Sequence, residues 1–288
     1  MRKLNQRQLK WVVREMHKGE LSVWQVARQQ GITQQWAREL KRRFESAGQA
    51  RLKACGRKRV PLCAQIEQLV LEEKARTLLG AVNLEKVLKQ KGVRLSHNKI
   101  QDVLDAHGLA KKEPKKSKRR KWVRWERKRS NSLWHADWTF KFGKNVLVVE
   151  DDASRFIVGY GEFEHANAEN TRRVFAQAFA VYGLPKQVLT DHGSQFVNVH
   201  DSKGGHEFAD WLRSLDVKPI YARVKHPQTN GKVERLFQTL VKGWKAFGSL
   251  KKAVEWYNDV RPHMSLELST GRLRTPAQAY KEKRGKNK

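Results

Sequence analysis

Acidic residues are scarce in this sequence: 29 Asp and Glu stand against 60 Lys and Arg, leaving a formal charge of +31 over 288 residues. A field of that sign attracts polyanions. Long apolar runs are missing too. None approaches the ~18 residues needed to span a bilayer, and the polar N-terminus lacks the apolar core of a secretory signal, so nucleic acid rather than a membrane is the expected partner. Cysteine is nearly absent. Cys55 and Cys63 are too few for a disulfide framework, and their spacing fits no zinc signature, which leaves free thiols in a reducing cytoplasm. No Gly-rich loop followed by Lys and Ser or Thr occurs, so no nucleotide cofactor is expected.

The positive charge is concentrated at the front, where residues 1–130 hold 35 Lys and Arg against 12 acids; residues 131–288 hold 25 against 17. In residues 1–50, Leu9, Val12, Val13 and Met16 recur at helical spacing until Gly19. Ser22 is placed to cap a second helix, Gly31 makes a turn, and Thr33 caps a third helix carrying Trp36, Leu40 and Phe44. That order is helix-turn-helix grammar and predicts a DNA-binding domain with Gln34, Gln35, Arg38 and Lys41 on the recognition helix. A basic hinge follows over 51–60, in which Arg57, Lys58 and Arg59 are candidate contacts to phosphate or groove. Residues 61–110 repeat the pattern as a second helix-turn-helix domain, with Gly92 as the break, Ser96 as the cap and Lys99 as a candidate DNA contact. A basic linker spans 111–130, with 12 Lys and Arg and two acids between 111 and 129. Such a run resists packing and is expected to order against a phosphate backbone.

From Asn131 the pattern changes to a meander of strands over 133–141, 145–151 and 155–163. A helix from about 168 to 182, a strand over 187–190, a helix to 215, a strand over 217–221 and a helix from about 232 to 247 complete a core at 131–247. Residues 248–288 form a C-terminal helical extension and basic tail. Antiparallel strands first, then strands alternating with helices, predict a mixed α/β sheet. Three acids are placed tellingly within it. Alternation puts His135, Asp137 and Thr139 on one strand face and Trp134, Ala136, Trp138 and Phe140 on the other. A carboxylate among such neighbours is tolerated when paired, hydrogen-bonded or bound to a metal. Asp191 ends the run Gln187-Val-Leu-Thr190, and Glu234 lies just inside the helix that follows Asn230 and Gly231. Three carboxylates from separate elements can converge into an oxygen cage for Mg²⁺ or Mn²⁺. Asp151 and Asp152 compete as ligands on composition alone, but their place in a hairpin turn beside Ser154 favours structural hydrogen bonds.

Six motifs carry a family resemblance: Trp134-His-Ala-Asp-Trp-Thr139, Asp151-Asp-Ala-Ser-Arg155, Leu189-Thr-Asp-His-Gly-Ser-Gln-Phe196, Pro227-Gln-Thr-Asn-Gly-Lys-Val-Glu-Arg235, Trp256-Tyr-Asn-Asp-Val-Arg-Pro-His263 and Thr275-Pro-Ala-Gln-Ala-Tyr280. In this order the chain resembles an insertion-sequence transposase of the DDE class with a retroviral-integrase-like core. The resemblance implies an α/β ribonuclease H-like mixed-sheet catalytic core preceded by all-α tandem helix-turn-helix domains. It implies that Asp137, Asp191 and Glu234 hold two divalent ions, Mg²⁺ or Mn²⁺, and catalyse cleavage and strand transfer of double-stranded DNA. Binding of an element's terminal repeats, a homo-oligomer on DNA and a prokaryotic, nucleoid-associated protein are also implied. Lys242 is a candidate DNA contact, although relatives often place the basic residue one position earlier, at Val241 here. The gap from Asp191 to Glu234 is longer than usual and suggests a surface insertion at 198–205. A non-catalytic sequence-specific DNA-binding protein derived from a transposase is the alternative.

Overall fold

The computed structural model describes residues 4–48, 62–110, 126–196, 207–222 and 231–285. Arg57, Lys58, Arg59, the linker up to residue 125 and the 198–205 insertion lie outside them. The chain divides into two units, 1–61 and 62–288.

In the first unit the caps expected at Ser22 and Thr33 form, and Asn5 adds one not foreseen. Asn5 and Gln8 make a reciprocal capping box at the start of α1 (Gln6–Lys18), and Ser22 and Gln25 make another at α2 (Val23–Gln30). Thr33 accepts from the Trp36 N–H at 3.2 Å to open α3 (Gln34–Ala47). Each satisfies backbone donors that a helix leaves unpaired at its N-terminus, worth about 1 kcal/mol apiece. The three helices close over Leu9, Val12, Val13 and Leu40, whose spacing marked them as core, together with Val26 and Ala37.

The second unit begins with α4 (Ala64–Thr77), α5 (Ala81–Gln90) and α6 (His97–Ala106). Ser96 occupies the N-cap of α6, but its hydroxyl makes no capping bond. The sheet follows. Strands β1 (Trp134–Lys141), β2 (Lys144–Asp151) and β3 (Ile157–Phe163) form the meander. Helix α7 (Ala168–Tyr182) leads to β4 (Gln187–Thr190), and α8 (Glu207–Ser214) to β5 (Lys218–Tyr221). The strand order is β3-β2-β1-β4-β5, with β2 antiparallel to β1 and β3, and β4 parallel to β1 and β5. This is the ribonuclease H-like arrangement, in which two crossover helices put the last two strands beside the first.

Period-2 alternation along β1 sorts its side chains as the sequence implied. Trp134 and Ala136 enter one core with Leu147, Val149, Phe175 and Phe208. On the opposite face, α9 (Gly231–Phe247) and α10 (Leu250–Glu255) cover Val146, Val148 and Ile157 through Val233, Leu236 and Leu240. A π-helical turn over Trp256–Val260, a 3₁₀ turn over Met264–Leu266 and α11 (Pro276–Lys283) end the chain. Asn258 exchanges two hydrogen bonds with the Ile157 backbone, at 2.9 and 3.0 Å, and so covers an edge-strand position. Tyr257 and Asn258 are buried; both are packing residues.

The C-terminal segment also reaches α4–α6. Leu273 is buried among Leu84, Leu88, Ile100 and Leu104, with Met264 packed alongside. The Trp256 indole donates to the Arg76 carbonyl at 2.8 Å, and Gln90 donates to the Gly271 carbonyl at 3.1 Å. Gly243 makes room for that indole, because a Cβ there would stand 2.8 Å from Trp256 Cε3. Alanine ordinarily gains about 1 kcal/mol over glycine inside a helix. Overpacking against a ring held from behind loses about 1–3 kcal/mol. Gly243→Ala is therefore expected to lower the urea midpoint of unfolding; a raised midpoint would mean that Trp256 yields freely.

Candidate active site

β1 and β4 pair with Trp134 opposite Val188 and His135 opposite Leu189. Two residues beyond the last pair, Asp137 lies midway along β1 in register with Asp191, the residue that follows β4, on strands spaced ~4.8 Å apart. In open α/β sheets ligands bind outside the carboxyl ends of strands, which is where Asp191 stands. Glu234 comes from the first turn of α9, the helix that packs across β1. Asp137 is half-buried, whereas Glu234 is exposed. Burial first, then the negative charges of Asp191 and Glu234, push the Asp137 carboxyl up to about 7, against a hydrogen bond from the Trp138 backbone. The fields of Asp191 and Glu234 therefore both reach Asp137. Among the described residues, however, no three His, Cys, Asp or Glu side chains are drawn together tightly enough to enclose an ion.

The turn after β4 fixes Asp191. Its Oδ1 accepts from the Gly193 N–H at 3.0 Å. A Cβ at Gly193 would lie 3.1 Å from that oxygen and 2.4 Å from Gln195 Oε1, so glycine lets the turn close onto the acid. His192 braces the turn from the other side, with Nε2 at 2.8 Å from the Ala222 carbonyl just past β5. The donors available are hard carboxylate oxygens, the set that suits Mg²⁺ or Mn²⁺ better than a soft metal. Their mutual repulsion is what a divalent cation would relieve.

Beneath these acids lies a buried polar cluster that sequence reasoning did not assemble. Asp151 and Asp152, at the turn after β2, are fully buried. Asp151 receives the Asn131 and Ser154 backbone N–H groups at 2.8 and 2.9 Å. Asp152 Oδ1 lies 3.0 Å from His135 Nε2 and hydrogen-bonds the Lys232 ammonium, while its Oδ2 receives the Arg127 N–H at 2.7 Å. Burial opposes ionisation of Asp152, but the bonds from His135, Lys232 and Arg127 outweigh it and hold the carboxyl well below the usual range. Glu150 has weaker support. Burial pushes it up to about 7 despite Arg155 at 4.0 Å and the Tyr257 hydroxyl at 3.3 Å. Two sequence signals pointed to it: Asp151 and Asp152 beside Ser154, whose N–H and hydroxyl both donate to Asp151 as expected, and His135 sharing a strand face with Asp137.

The DNA-contact candidates are dispersed. Gln34, Gln35 and Arg38 are exposed on α3, with Arg38 Nη2 at 3.5 Å from Gln34 Oε1. Lys41 is half-buried and stands 3.8 Å from Glu45. Lys99 on α6 and Lys242 on α9 are exposed. Arg42 and Arg43 line the same groove of α3 as Trp36 and Arg38 and are ion-paired with Glu39 at 2.6 and 2.7 Å.

Comparison with known proteins agrees with the core. The sequence matches the family described as Integrase core domain over residues 127–227, and a second description of the same name over 215–270. It is 32% identical to the transposase for transposon Tn552 of Staphylococcus aureus, over 40% of this chain and 27% of that protein. It is 33% identical to an uncharacterized protein of Archaeoglobus fulgidus, over 31% of this chain and 66% of that protein. The chain thus spans about a quarter of the Tn552 transposase. Solved structures similar to it include the catalytic core domain of BIV integrase, at 18% identity and TM-score 0.42, covering 53% of this chain and 95% of that one. The HTLV-2 integrase catalytic core domain in complex with magnesium is similar at 20% identity and TM-score 0.40, over 52% and 96%. With its motifs distributed over a β3-β2-β1-β4-β5 sheet and both matches falling on residues 127–270, that stretch of the chain is an integrase core domain of the kind shared by DDE-type transposases and integrases.

Proposed function

We propose that the chain is a DNA transposase that cuts the ends of a mobile element and joins them to target DNA. The observation that supports this reading is that Asp137 lies in register with Asp191 across β1 and β4, and that the charges of Asp191 and Glu234 both act on its ionisation. A bound divalent cation would supply Lewis acidity at the scissile phosphate, helping both the attacking and the leaving oxygen. The protein's own part is placement. Asp137 and Asp191 present carboxylates from adjacent strands, and the Gly193 N–H fixes one Asp191 oxygen. Glu234, exposed at the start of α9, is open to substrate. A water molecule attacks in end cleavage, and the freed 3′-hydroxyl attacks in strand transfer, so one site serves both steps without ATP.

The all-α regions are proposed to hold the DNA. Their support is the charge of the front half and the exposed Gln34, Gln35 and Arg38 on α3. Double-stranded DNA ends and target are the partners, and a homo-oligomer follows from the need to hold two ends together. Among the described residues no helix is long and apolar enough to cross a membrane; a cytoplasmic place is part of the proposal.

Three outcomes test it. Purified protein incubated with end-containing DNA and Mg²⁺ or Mn²⁺ is expected to nick and join it. Asp137→Asn, Asp191→Asn and Glu234→Gln should each reduce both rates about a thousandfold, since several kcal/mol of Lewis-acid stabilisation is lost at 1.36 kcal/mol per tenfold. Site-specific binding without cleavage in the parent would favour a non-catalytic DNA-binding protein instead. Arg38→Ala should weaken end binding, read by fluorescence anisotropy, by about 1–3 kcal/mol if the residue reads a base.

The third concerns pH. A carboxyl raised to about 7 in the folded state holds its proton longer than the unfolded chain does, so its contribution to stability is full below pH ~4 and disappears as pH rises through 7. The loss is at most on the order of 4 kcal/mol. In EDTA, the melting temperature of the parent should therefore fall more between pH 5 and pH 8 than that of Asp137→Asn. Mg²⁺ should restore it at pH 8 in the parent alone. Equal slopes in the two proteins would remove Asp137 from the acid cluster. Glu150, also raised to about 7, contributes equally to both and cancels.

A further inference from the structure

Helix α9 carries Glu234 on an otherwise apolar attachment. Val233, Leu236 and Leu240 lie against Val146 and Val148 of β2, and contacts of that kind are non-directional. A slip of one residue along the helix axis shifts every side chain by ~1.5 Å and turns it by ~100°. A full one-residue slip would turn that apolar stripe off the sheet, but a slide or tilt of a fraction of that step would carry Glu234 away from Asp137 at little loss of apolar burial. The register of α9 therefore has to be fixed by something directional.

Asp152 provides it. Its Oδ1 hydrogen-bonds Lys232, two residues before Glu234 on α9, and lies 3.0 Å from Nε2 of His135, two residues before Asp137 on β1. Asp152 is itself immobilised, with Oδ2 on the Arg127 N–H, its own N–H on the Leu133 carbonyl at 2.9 Å, and Arg155 at 3.8 Å. Asp152 and His135 are fully buried, and Lys232 is 20% exposed. A buried ion pair is weak evidence for stability, because apolar residues of similar size often serve as well or better. Its best-attested use is to specify register.

We infer that Lys232, Asp152 and His135 form a register pin that sets Glu234 against Asp137, which makes Lys232 and Asp152 positioning residues for the divalent-cation site. The inference rests on the reading of the three acids as that site.

Binding of Mn²⁺ alone to the full chain, without DNA, read from the EPR signal of free Mn²⁺, tests it directly. Lys232→Met is expected to weaken Mn²⁺ binding about 10- to 100-fold, the range found for residues that orient metal ligands. Lys232→Arg, which can still donate to Asp152, should stay within about threefold of the parent. The double variant Asp152→Asn with Lys232→Met removes both buried charges, so its urea midpoint should lie nearer the parent's than that of Lys232→Met, while Mn²⁺ binding stays weak. Parental Mn²⁺ affinity in either Met-containing variant, alongside loss of binding in Asp137→Asn, overturns the pin and leaves the cation site standing. Parental affinity in Asp137→Asn removes the cation site itself, and the pin with it.

Discussion

Like charges confined to a small, partly dry volume repel one another, and the second unit of this protein is built around that constraint. Asp137 and Asp191 occupy corresponding places on adjacent strands, and Glu234 approaches from a helix. Their repulsion registers as the raised carboxyl of Asp137. Holding such groups together requires a scaffold that does not relax, because a small displacement of any strand would relieve the strain. The apolar face of β1 supplies part of that rigidity. Trp134 is fully buried, with Phe179 at 5.6 Å between ring centroids and Phe175 in the same core. Interiors packed this densely have low compressibility and resist the relaxation that charge repulsion would drive.

The opposite face of the sheet is more polar near the site. His135, Glu150 and Asp152 form a continuous buried patch with Arg155, whose backbone adopts the left-handed conformation at φ 62. A non-glycine residue there is uncommon. In Arg155 it closes the turn between β2 and β3, with its N–H on the Asp151 carbonyl at 2.8 Å and its guanidinium 3.1 Å from Glu126. Charge in this region is thus paired on the same strand face as Asp137, where Asp152 takes up His135, Lys232 and Arg155.

Much of this was legible before any coordinates. Period-2 alternation assigned the faces of β1, and Ser22, Thr33, Gly19 and Gly31 at helix ends placed boundaries of α1–α3, because each residue solves a local backbone problem. Asp137 and Asp191 were readable for a related reason: each ends or interrupts an apolar strand pattern. The Asp152–Lys232 bond was not, since its partners lie 80 residues apart and follow no period. The docking of Leu273 onto α4–α6 was hidden likewise, in an irregular segment whose apolar residues obey neither 2 nor 3.6.

That docking changes what counts as a separable part. Helices α4–α6 look from the sequence like a module, yet their core is completed by Leu273 and Met264, and the Arg76 carbonyl is occupied by Trp256. Swapping these helices for those of a distant relative would leave a hydrophobic hole unless residues 256–274 travelled with them. The unit of inheritance here is accordingly discontinuous, two stretches of chain flanking the sheet that can drift only together.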